Sequence, residues 1–166
     1  MADTANMDAI DYKIIAALQE DGRLSNVDLA ERVGLSPSPC LRRVKFLEEQ
    51  GVIDGYKAVI NRDAFGLSLT VFVEIKVGRH SQHDARVVEA SLSAIPGLVA
   101  CHMVSGDADF LIELVVEDLK AYERVLTDHI LTIDNVSQIR SNFSLRPICV
   151  ERPLTGPNPP RPGRTA

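Results

Sequence analysis

Apolar residues recur every three or four positions as far as Glu49 and then, from Leu69, at every second position. That switch of period divides the chain into a helical part and a part containing a sheet. In the first part, Ile10, Ile14, Ile15 and Leu18 form a stripe with Asp11, Lys13, Glu20 and Asp21 outside it, Asp8 as N-cap and Gly22 as stop. Ser25 opens a second helix with Asp28 three residues on, the spacing of a capping box, and Leu29, Ala30 and Val33 form its inner face. Gly34 closes it, and Ser36 caps a third helix whose prolines, Pro37 and Pro39, fall in the first turn where a missing N–H costs little. The third helix is expected to turn Leu41, Val44 and Leu47 inward and Ser38, Arg42 and Lys45 outward, with Arg43 beside them. From Val52 to Ile60 the chain reads as extended, with Asp54-Gly55 favouring a tight hairpin, so a small wing or linker ribbon is expected.

In the second part, Leu69, Val71, Val73, Ile75 and Val77 alternate with Thr70, Phe72, Glu74 and Lys76, which predicts a strand. Helical spacing follows at Ala85, Val88, Leu92 and Ile95, then Pro96-Gly97 breaks it before an apolar run from Leu98 to Val104. A turn over Ser105 to Ala108 leads to a strand marked by Phe110, Ile112, Leu114 and Val116. A helix marked by Leu119, Tyr122, Leu126 and Ile130 and a last strand with Ile139, Phe143 and Leu145 complete the order. Strand, helix, strand, strand, helix, strand is the ferredoxin-like βαββαβ pattern, with both helices on one face of a sheet. The fold class is therefore α+β: an N-terminal helix-turn-helix followed by a ferredoxin-like βαββαβ domain. Leu98 to Val104 and Phe110 to Val116 read as apolar on both sides, so the uncovered face is expected to pack sheet to sheet on a second copy. The expected divisions are 1–60, 61–150 and a Pro-rich disordered tail over 151–166.

No apolar run is long enough to span a bilayer and no leader opens the chain, which predicts a cytoplasmic protein without a membrane partner. Cys40, Cys101 and Cys149 are far apart without a CxxC pair, so reduced thiols are expected rather than disulfides or zinc. Net charge is −5, and residues 1–60 carry seven Lys or Arg against ten Asp or Glu, so DNA binding has to rest on local charge.

In a helix-turn-helix the second helix of the pair enters the major groove while the first braces on the backbone. Ser36 and Ser38 suit phosphates at the third helix's N-terminus, and Arg42, Arg43 and Lys45 can reach phosphates or base edges. The expected partner is double-stranded DNA. The turn Ser105-Gly106-Asp107-Ala108-Asp109 is open to two readings, a plain hairpin or a seat for an amino acid. In the second, turn N–H groups hold a carboxylate and an aspartate holds an ammonium. HExxH, GxSxG and GxxxxGK[ST] are all absent, so no catalytic residue, metal site or cofactor is assigned and enzyme activity is not expected. Three function classes follow. They are an effector-responsive regulator, an effector-independent DNA-architectural protein, and a catalytic ferredoxin-like domain with a helical appendage.

The segments DAIDYKIIAALQEDGRLSNVDLAERVGLSPSPCLRRVKFLEEQGVIDGYKAVIN and CHMVSGDADFLI resemble the Lrp/AsnC family of feast-or-famine regulators, closest to its leucine-responsive type. The resemblance runs from Met7 to about Ile148. It implies a helix-turn-helix from about Asn26 to Lys45, giving Asn26, Ser36, Ser38, Arg42, Arg43 and Lys45 as the DNA-contacting set. It further implies a ferredoxin-like domain that assembles into dimers and octamers and binds an amino acid between subunits. In the family the SGxxD turn lies at that pocket, which maps onto Ser105, Gly106 and Asp109, with Asp107 inside the same turn and Asn142 and Ser144 contributed by the last strand. The polar Asn142-Phe143-Ser144 departs from the apolar segment of the leucine-responsive type.

Overall fold

The computed structural model describes residues 7–78, 82–150 and 152–156. The chain forms two compact units, one from Met1–Val59 with Cys149–Ala166 and the other from Ile60–Ile148.

The first unit contains α1 (Ala9–Glu20), α2 (Asn26–Val33) and α3 (Pro37–Glu49). Local chemistry sets each start. The Asp8 carboxylate accepts from the N–H groups of Ile10 and Asp11, and Asp11 returns the bond to the Asp8 N–H at 3.0 Å. Ser25 caps α2 and bonds Asp28, while Gly34, at φ +77°, ends it in the left-handed conformation that glycine adopts without a Cβ penalty. Ile14, Ala17, Leu29, Ala30, Val33, Cys40 and Leu47 close the core between the helices. Each fully buried Leu or Ile there contributes about 1.5–3 kcal/mol.

Three expectations are corrected in this unit. Leu41 is 43% exposed and Cys40 is fully buried, so the inner stripe of α3 runs Cys40, Val44, Leu47. Positions 40 and 41 both keep helical spacing with 44 and 47, and it is Cys40 that packs among Ile14, Leu29 and Val33 of the neighbouring helices. Asp11, read as outside the stripe, is buried. No strand forms between Val52 and Ile60, so the hairpin at Asp54-Gly55 is not made; instead the Val52 and Ile53 N–H groups cap α3 by donating to the Leu47 carbonyl.

The second unit is a four-stranded antiparallel sheet in the order β2-β3-β1-β4, from β1 (Leu69–Val77), β2 (Leu98–Met103), β3 (Phe110–Val116) and β4 (Val136–Phe143). Helices α4 (Gln82–Ser93) and α5 (Leu119–Val125) contribute Val88, Leu92, Ala121 and Tyr122 to the core over Val71, Val73, Ile75, Phe110, Ile112 and Leu114. The second helix continues as a π-helical turn, Leu126–Ile130. This is the βαββαβ arrangement expected of the period-two pattern. Leu145, expected in the last strand, lies beyond it and is 97% exposed, and Leu119 is also exposed.

The open face of the sheet is mixed rather than apolar throughout. Register places Phe72, Glu113 and Asn142 side by side there, and Glu74 with Leu111 and Arg140. Glu113 accepts from Arg62 at 2.9 Å, so a charge stands in the middle of the run that read as apolar on both sides. Part of the expected tail is ordered too. Residues 152–156 lie on α1, where Leu154 exchanges two hydrogen bonds with the Gln19 side chain, while 151 and 157–166 fall outside the described residues.

Candidate nucleic-acid interface and effector site

The expected DNA-contacting residues separate into two groups. Arg42 and Lys45, three apart on α3, are exposed and make no ion pair among the described residues. Ser36 and Ser38 are exposed at the start of the same helix, and Ser36 makes no capping bond with its hydroxyl. These four present donors on one surface, where hydroxyls, N–H groups and cations meet phosphate oxygens.

Arg43 and Asn26 are engaged inside the unit. The Arg43 guanidinium reaches Asp11 at 2.8 Å and Asp8 at 2.9 Å, tying α3 to the start of α1. Hydrogen bonding to Asp11 and then Asp8 raises the Arg43 pKa and keeps the group charged. The Asp8 carboxyl is held below its ordinary value, first by the Asp11 N–H and also by Arg43. Asn26 donates from Nδ2 to the Pro37 carbonyl at 2.8 Å, bridging α2 and α3, and its Oδ1 is buried without a hydrogen-bond partner among the described residues. The Asp8-x-x-Asp11 spacing is the sequence signal for the buried carboxylate. Its pairing with a residue thirty-two positions away has no local signal.

On the second unit, Ser105, Gly106 and Asp107 are exposed in the turn between β2 and β3, and Gly106 has φ +136°. Asp109 staples that turn to β1: its Oδ2 accepts from the Val77 N–H at 2.8 Å and its own N–H donates to the Ile75 carbonyl at 3.0 Å. Beside it lies a cleft of about 120 Å³ lined by Glu74, Lys76, Asp107, Ala108, Gln138 and Arg140. Glu74 accepts from Arg140 and Asn142, each at 3.1 Å, whereas Lys76 and Asp107 make no ion pair among the described residues. Asn142 therefore joins the cleft through Glu74. Ser144 does not: its N–H donates to the Thr70 carbonyl, at the other end of β1 from Asp109. Six residues of strand, about 20 Å, separate Thr70 from Lys76.

Sequence reading missed Glu74, Lys76, Gln138 and Arg140. The available signal was charge at the outward positions of a strand whose other face is buried.

Residues 70–154 match the Lrp/AsnC ligand binding domain, and residues 7–54 match a winged helix-turn-helix DNA-binding domain. The chain belongs to the Lrp/AsnC family. Its relatives include the leucine-responsive regulatory protein of Rhizobium meliloti (strain 1021), 40% identical over 142 residues and covering 86% of this chain and 91% of that one. The protein of the same name from Escherichia coli (strain K12) is 42% identical over 136 residues, covering 82% of this chain and 83% of its own. Among solved structures, a transcriptional regulator from Neisseria meningitidis in complex with L-Met is 35% identical with a TM-score of 0.85, covering 90% of this chain and 96% of that one. An AsnC family regulator from Agrobacterium tumefaciens is 36% identical with a TM-score of 0.83, covering 87% and 94%. This Lrp/AsnC protein is thus a transcriptional regulator with a helix-turn-helix DNA-binding domain and a ligand-binding domain. No helix among the described residues is long and apolar enough to cross a membrane.

Proposed function

We propose that this protein is a cytoplasmic, non-enzymatic regulator that reads duplex DNA with Ser36, Ser38, Arg42 and Lys45 and binds an amino acid at the turn 105–109. The observation that carries the second half is the cleft beside Asp107. Lys76 suits a carboxylate, Asp107 suits an ammonium, and Gln138 and Arg140 supply further donors. Its volume of about 120 Å³ fits a zwitterionic head group, well short of the roughly 300 Å³ at which drug-sized pockets begin. The ligand's side chain then extends beyond this chain's own surface, and a second copy completes the pocket and brings its Asn142 and Ser144 nearer the turn. Large apolar side chains left exposed at Val59 (74%), Ile60 (56%) and Phe65 (71%) support self-association into dimers and larger assemblies. The L-Met carried by the Neisseria relative supports the ligand class.

Ligand that binds only the native state raises its melting temperature, so a panel of amino acids is scanned by thermal shift. One or more should stabilise the wild-type protein, and Asp107→Ala and Arg140→Ala should each abolish that shift while keeping the unliganded melt. A full shift in both variants would move the site away from this cleft. A regulator also needs the ligand to favour one state over another, so DNA affinity or assembly should change with the stabilising amino acid and not with the others.

A further inference from the structure

The first unit carries a second cavity, of about 720 Å³, whose walls are α1 and residues 52–56 and whose rim includes Leu154, Thr155 and Gly156. Tyr12, Ile15, Leu18 and Ile53 are half-buried along it, and the Tyr56 hydroxyl donates to Glu48 at 3.0 Å, fixing one wall to α3. The C-terminal segment is matched to this groove at two points. The Leu154 N–H donates to Gln19 Oε1 at 2.6 Å and the Leu154 carbonyl accepts from Gln19 Nε2 at 3.0 Å, so one side-chain amide reads both backbone groups of one residue. At Gly156 the Tyr12 ring occupies the space where a Cβ would stand, so a larger residue there has to displace the ring.

Segment 152–156, Arg-Pro-Leu-Thr-Gly, forms no strand, and the Gln19 side-chain amide takes the place of backbone pairing at Leu154. The Leu154 side chain is 83% exposed, so recognition rests on backbone and shape rather than on an apolar anchor. The chain passes between its two units at 59–60 and again at 148–149, so this contact belongs to the unit reached by the second crossing.

We propose that the groove between α1 and residues 52–56 is a peptide-docking surface whose occupant is the chain's own segment 152–156, and that this strap stabilises the DNA-binding unit. Without it, the rim that Leu154, Thr155 and Gly156 supply is lost, and more of the α1 surface around Tyr12 and Gln19 stands open to water.

Hydrogen exchange on the full-length protein tests the proposal with Gly156→Val and with a chain ending at Val150. Protection in α1 should fall about tenfold or more in both, with β1 and β3 unchanged, because loss of a local contact lowers local and not global opening energies. Unchanged protection in Gly156→Val would overturn the proposal, and that variant decides alone where the shortened chain does not fold. Ala16→Cys with Thr155→Cys, in a Cys101→Ser, Cys149→Ser background, is then treated with a short bismaleimide; Ala16 is exposed on α1 within one turn of both Tyr12 and Gln19, so the contact under test is left in place. The cross-link should form within one chain; a product joining two chains would assign the groove to a second copy's tail and overturn the reading.

Discussion

Replacing Arg43 separates a positioning role from a DNA contact. Its guanidinium is 34% exposed, and the two carboxylates it holds differ, with the Asp11 side chain 7% exposed and that of Asp8 51% exposed. Arg43→Ala leaves Asp11 buried with the Asp8 N–H at 3.0 Å as its remaining bond. Breaking a buried pair by removing one partner costs about 3–5 kcal/mol, and an exposed pair is worth about 0–1 kcal/mol. A guanidinium one-third exposed to water, facing one buried and one open carboxylate, falls between these at about 2 kcal/mol. For a domain this small each kcal/mol corresponds to about 4–8 °C of melting temperature, so a drop of roughly 8–16 °C is expected. The Asp11→Asn/Arg43→Gln double variant should recover part of the loss, since no buried charge is then left unpaired. Calorimetric melts are read beside DNA-binding isotherms over a salt series, at a temperature well below every melt. Loss of one phosphate contact flattens the salt slope by about one, whereas a positioning residue leaves the slope in place. An unchanged melt with a flattened slope in Arg43→Ala would refute the reasoning and return Arg43 to the DNA-contacting set. Arg42→Ala is the control, with the melt unchanged and the slope reduced.

Three further outcomes follow from local chemistry. Gly97 sits at φ +76° with an added Cβ 2.7 Å from the Val115 carbonyl oxygen, so Gly97→Ala should cost at least about 2 kcal/mol in denaturant melts, combining left-handed strain with backbone collision. Asp8 has its carboxyl pKa depressed from the ordinary 3.8 by the Asp11 N–H and by Arg43, so its contribution is fully present above that value and is lost as pH falls through the folded-state value. Asp8→Asn should flatten this acid limb in melts taken below pH 4 while keeping the N-cap. Burial raises the Cys40 thiol pKa, and Cys149 is exposed, so maleimide labelling of the native protein should modify Cys149 first and leave Cys40 to react on unfolding.

The helical and sheet halves were legible because each local cue agrees with its packing. Alternation from Leu69 to Val77 becomes an inner face of fully buried Val71, Val73 and Ile75, and Ser25 with Asp28 closes the expected cap. What escaped the sequence is what depends on a second element. Cys40 and Leu41 fit the helical period equally well, and only the neighbouring helices choose between them. Asp54-Gly55 carries hairpin chemistry, but no strand forms on either side for a turn to join. The residues proposed to bind the effector show the same limit. Ser105, Gly106, Asp107 and Asp109 fall within one short turn and so are read together, while Glu74, Lys76, Gln138 and Arg140 meet Asp107 at the cleft through register alone. Ser144 shares a strand end with Thr70, and strand order places it away from the turn within one chain.

The acidic balance of the DNA-binding half, seven basic residues against ten acidic, weighs less once the six carboxylates with a bonded partner, Asp8, Asp11, Glu20, Asp21, Asp28 and Glu48, are followed to it. Asp8 and Asp11 are taken up by Arg43, Glu20 by Arg32, Asp28 by the Ser25 cap, and Asp21 accepts the Arg23 N–H. Glu48 holds the Tyr56 hydroxyl. Most of these carboxylates sit at helix starts or between helices, where their charge is offset by N–H dipoles and by the guanidinium groups they bind. Among the described residues Lys13, Arg23, Arg42, Lys45 and Lys57 of this half make no ion pair, and Arg42 and Lys45 stand together on the exposed side of α3 with two serines at its N-terminus. Net charge sets long-range attraction, and a Debye length of about 8 Å at physiological salt confines contact energetics to the nearest groups. The surface proposed to meet DNA therefore carries two unpaired cations on a unit that is acidic overall. That combination suits a protein whose grip must stay weak away from its operator, because nonspecific affinity follows the number of phosphates neutralised.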